Sequence, residues 1–159
     1  MSGRRIYVAS SWKNPHQPGV VSALRLDGHE VYDFRNPRVG DHGFHWSEID
    51  SNWKAWNPET FRLALDHPIA ARGFSTDFYA MRWADTFVLV QPSGRSAHLE
   101  AGWAVGSGRE LHILLGPGGV EPELMFKLAD RIHVHIDELV LALRESSSSF
   151  ERAAAGGGP

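Results

Sequence analysis

Hydrophobic and polar positions along the chain switch repeatedly between two periods. Residues 5–10 (RIYVAS) form a β-branched and aromatic run that predicts a first strand. Val20, Val21 and Leu24 then fall at helical spacing within residues 17–26, and Asp27-Gly28 closes that helix. Residues 29–34 (HEVYDF) read as a second strand. Residues 35–57 have no clean period, are rich in Pro, Gly, His and Trp, and are long enough to suggest a functional lid. Asn57-Pro58-Glu59 opens a brief helix, and Pro68 onward resumes helical character to about Trp83. The near-continuous apolar run 85–91 (DTFVLVQ) has the mark of a buried parallel strand. A Pro92-Ser93-Gly94 turn leads into a helix over 95–105, a strand over 110–115, a short helix over 121–128, a strand over 131–135 and a helix over 137–143. From Ser146 the composition becomes low-complexity, so residues 146–159 are expected to be a disordered tail behind one domain, residues 1–145.

Five strands alternating with helices predict an α/β fold. The expected form is a three-layer sandwich whose five-stranded parallel sheet has the flavodoxin-like order 2-1-3-4-5. Length and composition agree with that picture. The chain has 159 residues, 42% apolar and 22% charged, enough for one real core. A net charge of −3 argues against a nucleic-acid polymer as partner. The absence of cysteine removes disulfides, thiolate zinc sites and cysteine nucleophiles. No apolar run reaches the ~20 residues of a membrane span, and the MSGRR start is no signal peptide, so a cytoplasmic protein with no membrane partner is expected.

In such sheets ligands sit outside the carboxyl ends of the strands, where strand order reverses. That rule selects Ser10 to Asn14 after the first strand, the loop after Phe34, and Gln91 to Ser96 after the third, with Ser10, Ser11, Trp12, Lys13, Ser93, Gly94, Arg95 and Ser96 as the expected substrate contacts. A small-residue turn opening a helix offers free N–H groups and a positive dipole end to an anion, although an ordinary capped helix has the same pattern. The stretch is neither a Walker loop nor a dinucleotide fingerprint. Glu100, farther along that helix among Ala101, Gly102 and Ala104, is either a functional carboxylate or a surface partner of Arg95. Asp77 lies eight residues before Asp85, about 12 Å along a helix. If Asp85 opens the third strand, Asp77 is carried back toward the carboxyl edge, and Asp85 is a structural cap. Two carboxylates at one site suit glycosidic chemistry.

Taken together, Ile6-Tyr7-Val8-Ala9-Ser10-Ser11, Asp77 with Asp85-Thr-Phe-Val-Leu-Val, and Ser93-Gly94-Arg95-Ser96-Ala97-His98-Leu99-Glu100-Ala101-Gly102-Trp103-Ala104 resemble the nucleoside 2-deoxyribosyltransferase family. That family includes 2'-deoxynucleoside 5'-phosphate N-hydrolases and pyrimidine-nucleotide N-glycosidases, and the resemblance covers residues 5–143. It implies that Glu100 is a nucleophile toward the anomeric carbon, that Asp77 assists at the base or a sugar hydroxyl, and that Tyr7 orients the glutamate or the sugar. It also implies a small nucleoside or nucleotide substrate, no cofactor, and a homodimer or larger assembly. The chain departs from the family pattern at Ser10-Ser11-Trp12-Lys13 and at Arg95-Ser96.

Other features divide between functional and structural readings. Phe44, Trp46, Trp53 and Trp56, with Trp12, form either a stacking platform for a nucleobase or a plug beneath a long loop. Trp46 is the one among the first four counted as a substrate contact. His133 and His135 alternate on one predicted strand, flanked by Asp130 and Asp137, but lack a third ligand, so no metal is expected and a partly exposed strand end is the better reading. Lys13 and Arg95 are the cations suited to a 5'-phosphate. The function classes left are an N-glycosidase or N-deoxyribosyltransferase and a non-catalytic nucleotide-binding or sensing domain of the same fold.

Overall fold

The most apolar run, Thr86–Val90, forms β3, and all five of its residues are buried. In the computed structural model, which describes residues 3–155 and side chains to residue 145, β3 is the centre of a five-stranded sheet. Its companions are β1 (Arg5–Ala9), β2 (Glu30–Asp33), β4 (Glu110–Leu114) and β5 (Arg131–His133), in the order β2-β1-β3-β4-β5. The strands run parallel, with Tyr7 opposite Phe87 and Val88 opposite His112. This is the order that the sequence predicts. The side chains of 146–155, and residues 156–159 entirely, lie outside the described residues; the backbone of 146–155 continues the last helix, which is longer than the 137–143 that the sequence predicts.

The chain gathers into two compact units: Met1–Tyr32 with Ala84–Pro159, and Asp33–Trp83. In the first, helices cover both faces of the sheet. On one face α1 (Gln17–Leu26) and α5 (Ile136–Ala155) enclose Ile6, Val8, Val88, Val90 and Leu114 with Val20, Val21, Leu24, Leu139 and Leu143. On the other lies α4 (Arg95–Gly106), whose buried Ala97, Ala101 and Ala104 recur at helical spacing. Alanines let α4 approach the strands closely, so bulk is costly there. Ala104→Leu is expected to destabilise by about 1–3 kcal/mol through overpacking, read as a lower midpoint in urea unfolding.

The amino edge of the sheet is polar and tightly paired, and its chain of polar contacts runs along β4 to His133 at the end of β5. Arg4 donates to the hydroxyl of Thr86 and to the Glu110 carboxylate. Glu110 meets His112 Nε2 at 2.8 Å, and His112 Nδ1 meets His133 Nε2 at 2.9 Å. The His112 and His133 rings are stacked, 0% and 4% exposed. Asp85 accepts from the Arg5 backbone and guanidinium and from Thr86, the structural role expected of it.

The histidine reading needs correction. His135 lies outside β5 and does not share a strand face with His133. The cause is local: the Val134 N–H is taken by the Glu138 carboxylate at 2.8 Å, which turns the chain into α5. The expected helix over 121–128 also shrinks to a 3₁₀ segment, Leu124–Leu128. Leu124, Met125 and Leu128 are exposed, so burial does not reward a longer helix.

In the second unit, α2 (Pro58–Ala64) starts where Asn57 accepts the Thr60 N–H, and α3 runs over Pro68–Trp83. Residues 35–57 are not structureless: they hold short 3₁₀ turns at Trp46–Glu48 and Trp53–Ala55. Trp46 is edge-to-face with Phe44, Trp56 and Phe61 at 4.7, 5.5 and 5.7 Å. Such pairing stabilises a local aromatic cluster. Trp56 also donates its indole N–H to Asp50 at 2.6 Å.

Candidate functional site

Strand order reverses between β1 and β3, so the loops that follow them open the crevice at the carboxyl edge. Both loops belong to the first unit, and a small set of polar side chains joins them. Ser10 donates to the Val90 carbonyl at 2.9 Å. Asn14, fully buried, donates through Nδ2 toward Ser10 Oγ at 3.0 Å, the Pro92 carbonyl at 3.2 Å and the Val90 carbonyl at 3.3 Å. The rest of the first loop is open: Trp12 and Lys13 are exposed, and Ser11 Oγ accepts the Lys13 N–H.

The second loop leads through Ser93, whose hydroxyl accepts from Gln91, to Gly94 at the cap of α4. Glycine has no side chain with which to cap a helix, and no side chain caps α4. The first N–H groups of Arg95, Ser96 and Ala97 therefore point out of the helix end at the sheet's carboxyl edge, where the dipole favours an anion. Arg95 and Ser96 are exposed beside them. The His98 ring lies 2.8 Å from the Gly94 carbonyl and stacks on Phe126.

Glu100 is half-buried, in the second turn of α4. Ser96, Glu100 and Trp103 succeed one another at four- and three-residue spacing, forming a strip beside the alanine stripe. Trp103 in that strip lies 6.1 Å from Phe87 between ring centres, and Phe87 stacks on Tyr7 at 5.0 Å. Trp103 thereby packs over β3, and its ring also lies 5.3 Å from the Arg109 guanidinium that precedes β4. Tyr7 is 1% exposed, its ring stacked with Tyr32 as well as Phe87.

The sequence-selected residues of the first unit fall into two groups. Ser10, Ser11, Trp12, Lys13, Ser93, Gly94, Arg95 and Ser96 occupy the two loops of one crevice. Glu100 and Tyr7 lie deeper, on the α4 side of the sheet. Asp77, half-buried on α3, and Trp46 belong to the second unit. Asn14 lies within the segment that the switch-point rule selects but is not among the expected substrate contacts, and its bracing role was missed. Its signal was an Asn-Pro pair after a strand, and the Asn14 Oδ1 that accepts the His16 N–H at 2.8 Å forms the turn such a pair favours. Among the described residues no cluster of three or more His, Cys, Asp or Glu is arranged for a metal, and no helix is long and apolar enough to cross a membrane.

No protein-family model and no curated protein sequence matches the chain. Solved structures do. The 2-deoxyribosyltransferase of the psychrotolerant bacterium Bacillus psychrosaccharolyticus is 19% identical, with a TM-score of 0.56 over 85% of this chain and 89% of that one. The Clostridium botulinum CMP N-glycosidase BcmB is 16% identical, with a TM-score of 0.50 over 89% of this chain and 98% of that one. The chain thus has the fold of a deoxyribosyltransferase and of an N-glycosidase, the fold that the sequence resemblance implies.

Proposed function

We propose that the protein breaks the N-glycosidic bond of a nucleoside or nucleoside 5'-monophosphate through a covalent intermediate on Glu100. The observation that carries the reading is the position of Glu100, half-buried one turn beyond an anion-ready helix end at the sheet's carboxyl edge. The folds of the two solved enzymes support it. A Glu100 carboxylate oxygen attacks C1′ as the C1′–N bond breaks, and its electron pair leaves with the base, which takes up a proton. Water, or a second base, then attacks C1′ and releases Glu100 as carboxylate. Asp77 handles the proton at the base or a sugar hydroxyl, and Tyr7 orients Glu100 or the sugar. Trp46 and Trp12 stack on the base. No cofactor takes part.

The α4 end, with Ser93, Ser96, Arg95 and Lys13, favours a monophosphate and, with it, hydrolysis. On this reading the enzyme is cytoplasmic and works as a homodimer or larger assembly, in keeping with the family it resembles. Incubation with a panel of nucleosides and monophosphates, followed by chromatography for free base, tests the activity. No free base from any of them leaves the non-catalytic nucleotide-binding alternative. Arg95→Ala is expected to weaken monophosphate binding by about 1.5 kcal/mol, roughly tenfold, and nucleoside binding much less. Equal losses for both ligands would make Lys13 the better phosphate partner.

A further inference from the structure

We infer that Asn14 is a positioning residue that sets the phosphate turn from across the crevice, an inference that rests on the anion role proposed for that turn. Asn14 lies on the loop after β1, yet its Nδ2 partners include the last carbonyl of β3 and the Pro92 carbonyl, two residues before Gly94. The orientation of the amide follows from its neighbours. The His16 N–H must meet the oxygen, and the two carbonyls must meet the nitrogen. Two amide hydrogens serve three acceptors at 3.0–3.3 Å, so the bonds are shared, and Ser10 completes the knot by donating to the same Val90 carbonyl.

The knot fixes the lead-in to α4. Val90 ends β3 and Pro92 lies in the turn that follows, and the one buried amide reaches the carbonyls of both. Glu100 depends on it less, because α4 is seated independently by Ala97, Ala101 and Ala104. Asn14 therefore governs where the N–H groups of Arg95, Ser96 and Ala97 point, rather than where the carboxylate sits.

The test uses Asn14→Ala and Asn14→Asp, with backbone amide resonances and steady-state kinetics on the monophosphate that the wild type cleaves. In Asn14→Ala, the amide resonances of residues 93–97 should shift or broaden while those of 101–104 hold their positions. KM should rise about tenfold, with kcat within about threefold. In Asn14→Asp at neutral pH, a carboxylate faces two carbonyl oxygens, so the defect should be at least as large. It should shrink relative to wild type near pH 5, where a protonated carboxyl regains one donor. Unchanged resonances at 93–97, equal shifts throughout the unit, equal loss in kcat and KM, or failure of both variants to fold overturns the inference. If the wild type releases no base, the proposed activity has failed, and the resonance measurement alone decides the role of Asn14.

Discussion

Glu100→Gln is expected to lower base release by roughly 10³-fold or more while leaving ligand affinity within a few-fold. The amide keeps the size of the carboxylate and its place on α4, so ground-state contacts survive. What it lacks is a lone pair nucleophilic enough to form an ester with C1′, a contribution made in the transition state alone. Affinity measured by calorimetry and turnover measured by chromatography should therefore separate. Mass spectrometry of rapidly quenched wild type should find a glycosyl adduct on the peptide containing Glu100, absent from the variant. A Glu100→Gln protein of full activity would rule out the covalent route and leave direct attack by water.

The sheet was legible because each strand carries its own signal. The run 86–90 is apolar on both faces, as only a central parallel strand needs to be, and the helix 17–26 announces itself through Val20, Val21 and Leu24. Alternation of these elements constrains topology strongly, since parallel neighbours need crossovers. Boundaries set by side chains distant in sequence or by competing hydrogen bonds were not legible. β5 stops at His133 because Glu138 takes the next N–H, a contest that strand propensity cannot register. The aromatic-rich segment 35–57 has no period because its order comes from rings meeting edge-to-face around Trp46.

The candidate site was legible at the level of loops. Gly94 and its neighbours betray an uncapped helix end, and the switch-point rule brings that end beside the loop after β1. The cross-brace by Asn14 was not legible, because its partners are backbone carbonyls 76 and 78 residues away that any sequence would supply. The same holds for the polar chain that starts at the amino edge, where His112 reads as one polar residue in a strand and proves to be a buried link between Glu110 and His133.

That amino-edge chain gives the second large effect. The hydrogen bond from His112, followed by that from Arg4, holds the Glu110 carboxyl down at about 2 against the opposing pull of burial. A folded pKa below the unfolded one means the unfolded state binds more protons, so stability is lost as pH falls. For Glu110 the contribution is complete above about pH 4.5 and disappears toward pH 2. Burial also lowers His29 and His133, the latter further depressed by its neighbour His112. Their contributions are complete above the ordinary histidine value of about 6.5 and decline below it, so all three act in the same direction. Unfolding free energy should be level near pH 7–8, fall below about pH 6.5, and fall more steeply below about pH 4.5. Glu110→Ala at pH 7 should cost about 2–3 kcal/mol, because it leaves the Arg4 guanidinium and the His112 Nε2 without their carboxylate. Glu110→Gln, which keeps one acceptor, should cost less. Urea titrations of the three proteins at pH 7 and pH 3.5 provide the check. The wild-type advantage over Glu110→Ala must narrow at the lower pH, and parallel curves at both would show that the carboxylate's charge contributes nothing to the fold.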